Sequence, residues 1–185
     1  TQDGREGYGQ LSSYEPDITA IVLHRQVARH VLGSDPAMID TLVAFEPRIQ
    51  ASLVLDELGL GAGGHVLMTI HRPNNVDDSG VLTRVVDLIT LVAVDRRVVF
   101  PVHPRTTRNL ERFGLMHKLR AQRGVVLAEP QDYLGFQKLI ATSAFVITDS
   151  GGVQEETTFR GIPCLTVRPS TERPVTVTEG TNTLI

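Results

Sequence analysis

The spacing of apolar residues changes character at a run of glycines, Gly59, Gly61, Gly63 and Gly64. Before it, apolar positions recur three and four apart. Ile18, Ile21, Val22, Val27 and Val31 share one helical face, and a second helix starts at Asp35-Pro36 and carries Met38, Ile39, Leu42, Val43 and Phe45. A third passes through Ile49, Leu53, Leu55 and Leu58 and stops at the glycines. Residues 1 to about 20 hold Gly4, Gly7, Gly9 and Pro16 among polar residues and read as a loop-like lead-in. Past the glycines, short apolar runs alternate with longer amphipathic ones. Strands are expected over 65–70, 98–102, 125–127, 144–148 and 163–167, and helices over 81–94, about 106–121, 133–142 and 153–160. Thr183-Leu184-Ile185 reads as a last apolar strand. Such alternation predicts an α/β fold with a parallel sheet covered on both faces, and in such sheets ligands gather beyond the carboxyl ends of the strands.

Composition narrows the function. The chain has 185 residues, 41% hydrophobic and 21% charged, enough for one substantial core. A net charge of -3 with scattered Lys and Arg gives no basic field, which argues against nucleic acid and anionic membrane as partners. Cys164 is the single cysteine, so neither an intrachain disulfide nor a CxxC zinc site can form, and it is expected to be a buried small residue rather than a nucleophile. No apolar run approaches the roughly 20 residues that span a bilayer, and the first ten residues are polar; the expected localisation is cytoplasmic. The start at Thr1 and the finish in an apolar strand are expected to be the ends of a fragment.

Polar segments follow four of the strands. His71-Arg72 reads either as a turn with a solvated cation or, beside a phosphate, as an imidazole able to stabilise a departing oxyanion. At 103–105, His103-Pro104-Arg105 is either a proline turn or a proline-aimed guanidinium for phosphate. Glu129-Pro130-Gln131-Asp132 is either an N-cap with Asp132 or a backbone edge along a nucleobase. The strongest signal is Asp149-Ser150-Gly151-Gly152. Two glycines opening a helix leave its amide hydrogens and positive dipole end bare for an anion, with Ser150 adding a hydroxyl and Glu156, about a turn on, placed to accept from both ribose hydroxyls. Arg168 and Arg173 follow the next strand, and Arg173 either contacts phosphate or locks Glu172 in an ion pair.

Taken in order, these segments resemble the non-hydrolysing UDP-N-acetylglucosamine 2-epimerases. The resemblance covers about 69 to 185 and is carried by Thr69-Ile70-His71-Arg72 with Asn75-Val76-Asp77, Pro101-Val102-His103-Pro104, Glu129-Pro130 with Asp132-Tyr133-Leu134, the segment 148–156, and Thr171-Glu172-Arg173-Pro174 with Gly180-Thr181-Asn182. Upstream, Val31-Leu32-Gly33-Ser34-Asp35 and Ile39-Asp40-Thr41-Leu42 look like the crossover into the family's second domain. It implies a GT-B architecture of two Rossmann-like domains, of which this chain is the second and truncated: residues 1–60 as lead-in and crossover helices, 61–185 as a UDP-binding domain incomplete at its C-terminal end, and the first, catalytic domain absent. It also implies interconversion of UDP-N-acetylglucosamine and UDP-N-acetylmannosamine by elimination and re-addition of UDP, in the supply of cell-surface polysaccharide precursors, with no cofactor and no metal. The expected partners are the nucleotide-sugar, the missing first domain or a neighbouring chain, and a second copy in a homodimer.

Carried over by position, Ser150, Gly151 and Gly152 hold the diphosphate, Glu156 the ribose, and Arg173 lies near the phosphates. His71 assists departure of UDP and His103 lines the nucleotide site, with Arg72, Arg105 and Asp149 as further substrate or nucleotide contacts. Family members place essential acids on the first domain, so the proton-abstracting base is expected outside this chain. Asn74 and Val175 stand where acids are common in the family. A nucleotide-sugar-binding remnant and a GT-B glycosyltransferase fragment are the alternatives.

Overall fold

In the computed structural model, residues 41–61 and 63–185 are described. The lead-in, the helix expected over 18–31, the start of the second at Asp35 and the crossover motif at 31–35 lie outside them, as do Ile39 and Asp40 of the crossover motif at 39–42. The chain divides into two compact units, Thr1–Arg48 and Ile49–Ile185. The described part of the first belongs to α1 (Thr41–Gln50), which runs through Pro47. Instead of a third long helix through Ile49 and Leu58, α1 ends at Gln50 and a single turn, α2 (Val54–Glu57), follows.

The sheet of the second unit has six parallel strands in the order β3-β2-β1-β4-β5-β6. They are β1 (Val66–Thr69), β2 (Val98–Pro101), β3 (Val125–Ala128), β4 (Phe145–Thr148), β5 (Cys164–Thr166) and β6 (Asn182–Leu184). This is the doubly wound Rossmann-like order of a GT-B second domain. Runs such as Val66-Leu67-Met68 are apolar at every position because both faces are covered. Successive side chains serve opposite faces: Val66, Met68, Val98 and Phe100 enter one core with Leu82, Val86, Leu110 and Leu119, while Leu67, Val99 and Val146 enter the other with Val54, Leu139, Ile140 and Val153.

The helices of the first face are α3 (Pro73–Val76), α4 (Ser79–Val92), α5 (Pro104–Arg112) and α6 (Met116–Arg120). The second face carries α7 (Tyr133–Thr142) and α8 (Gly151–Arg160), and α9 (Pro174–Thr178) packs on α8 and β6. The single helix expected over about 106–121 is two. Gly114 at φ 66° ends α5, with Leu115 N–H donating to Leu110 O at 2.8 Å and Gly114 N–H to Glu111 O at 3.0 Å. That paired closure needs a left-handed residue, which glycine supplies without steric cost. Asp132 caps α7 as expected, accepting from Gly135 N–H at 2.7 Å. Cys164 is buried, and burial pushes its thiol up from the ordinary range. Among the described residues no helix is long and apolar enough to cross a membrane.

Candidate functional site

The winding of the sheet reverses between β1 and β4, which run side by side in register from Val66 opposite Phe145 to Thr69 opposite Thr148. At such a switch point the two following connections diverge to opposite faces and open a crevice beyond the strand ends. Here those connections are His71-Arg72 after β1 and Asp149-Ser150-Gly151 after β4. The end of β5 adds 168–173 on one side, and the end of β2 adds His103 on the other.

Asp149 joins the two central connections. Its side chain is fully buried, and its carboxylate accepts the backbone N–H of His71 at 3.1 Å to each oxygen, the N–H of Arg72 at 2.8 Å and the side-chain amide of Asn75 at 3.0 Å. His71 Nδ1 lies 3.3 Å from Oδ1. Asn75 also donates to Val167 O at 3.0 Å, so the ends of β1, β4 and β5 are tied together. These contacts give Asp149 to the protein's own donors rather than to open space. The His71 side chain keeps 38% of its surface exposed, and its ring centroid is 5.6 Å from that of His103.

Ser150 is the residue before α8 and makes no capping bond with its side chain. Its N–H donates to Thr148 Oγ1 at 3.0 Å, and its carbonyl accepts from Gln154 Nε2 at 3.1 Å. Around Gly152 there is open space, whereas a Cβ at Gly151 would come within 2.7 Å of Glu172 Oε1. A carboxylate of the chain itself therefore stands over the amino end of α8. Two arginines hold it there: Arg72 Nη2 at 2.9 Å from Oε1 and Arg168 Nη2 at 2.6 Å from Oε2. Chiefly through Arg168, with its own backbone N–H and the charge of Arg72 assisting, the Glu172 carboxyl is held down at about 2.

Arg173 turns away from Glu172 and pairs with Glu155, Nε to Oε1 at 2.9 Å. Its loop is fixed through Gln154, a buried side chain whose Oε1 accepts from Thr171 Oγ1 at 2.6 Å and Asn182 Nδ2 at 3.1 Å. Glu156 is half-buried on α8. Burial raises its carboxyl above the ordinary value, with the neighbouring Gln137 amide and the charge of Arg160 opposing. An ionised carboxylate held at that disadvantage is ready to accept hydroxyl donors.

His103 caps α5, its Nδ1 accepting the N–H of Arg105 at 3.2 Å. Burial first, then the charges of His71 and Arg105, lower its tendency to take a proton. Arg105 makes a bidentate pair with Asp77, Nε to Oδ1 at 2.9 Å and Nη2 to Oδ2, and Asn109 Nδ2 donates to the same carboxylate at 3.0 Å. A cleft of about 760 Å³ lies there, lined by Asp77, His103, Arg105, Arg108, Asn109 and Arg112. Another of about 660 Å³ lies between Val102, Met116, Leu127, Glu129 and Pro130. Both open on the α5 and α6 face, while Glu156 stands on α8 on the other, and neither includes Ser150–Gly152. With Glu172 lying over Gly151, the α8 end is not hollow.

Sequence reasoning placed the turn, His71, His103 and Glu156 at strand ends or on α8, and all are there. It gave no role to Asn75, Gln137, Gln154 or Arg168. Asn75 stands in the Asn75-Val76-Asp77 segment, and a polar amide two residues after His71-Arg72-Pro73 is its one signal; Gln137 and Gln154 occupy core-facing helical positions where a polar residue is itself a signal.

Known proteins converge on the same region. The family model described as UDP-N-acetylglucosamine 2-epimerase matches residues 29–185. The UDP-N-acetylglucosamine 2-epimerase of Methanocaldococcus jannaschii is 38% identical over 136 residues, 72% of this chain and 36% of that protein. The UDP-2,3-diacetamido-2,3-dideoxy-D-glucuronate 2-epimerase of Pseudomonas aeruginosa is 36% identical over 159 residues, 85% of this chain and 42% of that protein. A crystal structure of the M. jannaschii enzyme in complex with UDP-GlcNAc and UDP superimposes with a TM-score of 0.69 at 34% identity, covering 77% of this chain and 41% of that one. The chain thus spans well under half the length of these relatives.

Proposed function

The chain belongs to the UDP-N-acetylglucosamine 2-epimerase family, and we propose that it is the nucleotide-holding half of an enzyme that interconverts UDP-N-acetylglucosamine and UDP-N-acetylmannosamine. The observation that carries the reading is the meeting, at the β1/β4 switch point, of a helix amino end opened by Gly151 and Gly152 beneath Glu172 with an imidazole held by Asp149. Bare amides and a helix dipole suit a diphosphate, and the imidazole suits the charge that appears when the diphosphate leaves.

In this reading Ser150, Gly151 and Gly152 bind the diphosphate. Glu156 accepts from the ribose hydroxyls, and Arg72 and Arg173 lie within reach of the phosphates once their carboxylate partners yield. Elimination breaks the bond between the anomeric carbon and the phosphate oxygen, sends the bonding pair to that oxygen and the proton of the second sugar carbon to a base, and leaves a glycal. Re-addition of UDP with protonation from the opposite face gives the epimer. His71 hydrogen-bonds the developing phosphate charge. The base comes from outside this chain, from the family's other domain or a neighbouring copy, and the setting is cytoplasmic supply of cell-surface polysaccharide precursors. The relatives' names share UDP and 2-epimerase but differ in the sugar, which fits a chain whose described residues serve the nucleotide.

Calorimetric titration of UDP into the chain tests this. Ser150→Ala and Glu156→Ala are each expected to weaken binding about tenfold while circular dichroism stays unchanged, in line with losing a hydrogen bond to a charged group. Unchanged affinity in both variants rejects the site. For the whole enzyme, exchange of solvent deuterium into the second sugar carbon is the expected signature, and its absence would favour simple sugar transfer.

A further inference from the structure

Two histidines 5.6 Å apart at the crevice are held by different atoms. His103 uses Nδ1 as an acceptor for the N–H of Arg105, so in its neutral form the hydrogen sits on Nε2. His71 faces Asp149 with Nδ1, 3.3 Å from a carboxylate oxygen that cannot donate, so its hydrogen belongs on Nδ1. The surroundings of that fully buried carboxylate are donors of the chain itself. It receives two backbone N–H groups and the Asn75 amide, and it precedes the positive end of α8. Of the donors touching it, the His71 imidazole alone can gain or lose a proton.

We propose that Asp149 is a positioning residue for the elimination: it locks His71 in the Nδ1–H form, opposite to His103, so that Nε2 is the atom that meets the leaving diphosphate. The inference rests on the epimerase reading of the site. As the bond to the anomeric carbon breaks and its electron pair passes to the phosphate oxygen, charged His71 donates from Nε2 and becomes the neutral Nδ1–H imidazole. On re-addition the proton returns by the same path. The Nδ1 hydrogen stays on His71, donated to Asp149, throughout, so the ring neither flips nor changes tautomer between the two directions. This differs from a ligand contact by Asp149, whose oxygens are already taken by donors of the chain.

The test is nitrogen-15 spectroscopy of the histidine rings in the chain without nucleotide, read at a pH where the spectrum itself shows both rings to be neutral. The expected result is Nδ1–H for His71 and Nε2–H for His103, the second serving as reference within one spectrum. In Asp149→Asn the new amide turns a donor toward Nδ1 and His71 switches to Nε2–H while His103 stays. In Asn75→Ala the same knot is loosened but the His71 tautomer stays as in the parent. An Nε2–H His71 in the parent chain overturns the proposal, as does an Nδ1–H His71 that persists in folded Asp149→Asn. If Asp149→Asn does not fold, the parent spectrum and Asn75→Ala still decide. Titration with UDP is read separately: no binding with the expected tautomers refutes the nucleotide site but not the tautomer lock of Asp149 on His71, and binding with the wrong tautomer refutes the lock but not the site.

Discussion

Replacing Glu172 by glutamine separates two effects of one carboxylate. Its oxygens lie over Gly151 and between Arg72 and Arg168, where a bound diphosphate would compete with it for the same cations and the same helix end. If carboxylate and phosphate stay about 5 Å apart in the complex, each pair of unit charges repels by roughly 1–2 kcal/mol at an effective dielectric of 40 to 80, and salt reduces this further. Glu172→Gln is therefore expected to tighten UDP binding by about 1 kcal/mol, or about fivefold, because the amide still accepts a hydrogen bond from an arginine without the charge. The free chain loses the pairing. A carboxyl held near 2 against an ordinary 4.5 nominally represents about 3 kcal/mol, but the side chain is 44% exposed, so about 1 kcal/mol survives screening. Because the folded value is depressed, that contribution is present above pH 4.5 and disappears as pH falls toward 2. Calorimetry and denaturant unfolding at pH 7 and pH 3 read both arms. Weaker UDP binding in Glu172→Gln would refute the competition and show that the carboxylate aims the arginines instead.

Glu156 gives the opposite pattern. Burial raises its carboxyl, so the charged form is a liability to the free chain that grows as pH rises through the folded value and vanishes below the unfolded one. Glu156→Gln should raise the melting temperature at pH 7, less at pH 4, while weakening UDP binding; a lower melting temperature at pH 7 would contradict the burial argument. Gly151→Ala drives a methyl to within 2.7 Å of Glu172 Oε1 and is expected to abolish measurable UDP binding with the fold retained, checked by calorimetry and far-ultraviolet dichroism. Gly124→Ala meets the backbone oxygen of Ala93 at 2.3 Å, which cannot yield as a side chain can, and should destabilise the chain by about 2 kcal/mol in urea without a specific effect on the nucleotide. Arg105→Gln should leave UDP affinity within about twofold, since its guanidinium serves Asp77; a larger loss would bring the α5 cleft into the nucleotide site.

The parallel sheet was legible because strands buried on both faces are apolar at every position while the helices between them are not. The short elements were less so. α3 and α9 are too brief to show a helical period, although Pro73 and Pro174 at their first turns are a start signal. The break between α5 and α6 hid in a continuous amphipathic pattern because Gly114 interrupts the backbone and not the apolar stripe. At the site, the glycines and Ser150 raised the expectation of an anion cradle by residue type alone. What covers it did not show, since Arg72 and Glu172 are 100 positions apart and meet only when the ends of β1 and β5 are brought together. Asp149 looked like a ligand contact for the same reason. Only the register of β1 on β4 reveals that the N–H groups of His71 and Arg72 converge on it.

The most direct test of the central claim is a titration of the nitrogen-15 labelled chain with UDP and, in parallel, with uridine. If the amino end of α8 holds the diphosphate, UDP shifts the amide signals of Gly151, Gly152 and Val153 and uridine leaves them in place. If UDP instead moves only the signals of Arg105 to Arg112 on α5, the nucleotide site lies in the other cleft and the account is wrong.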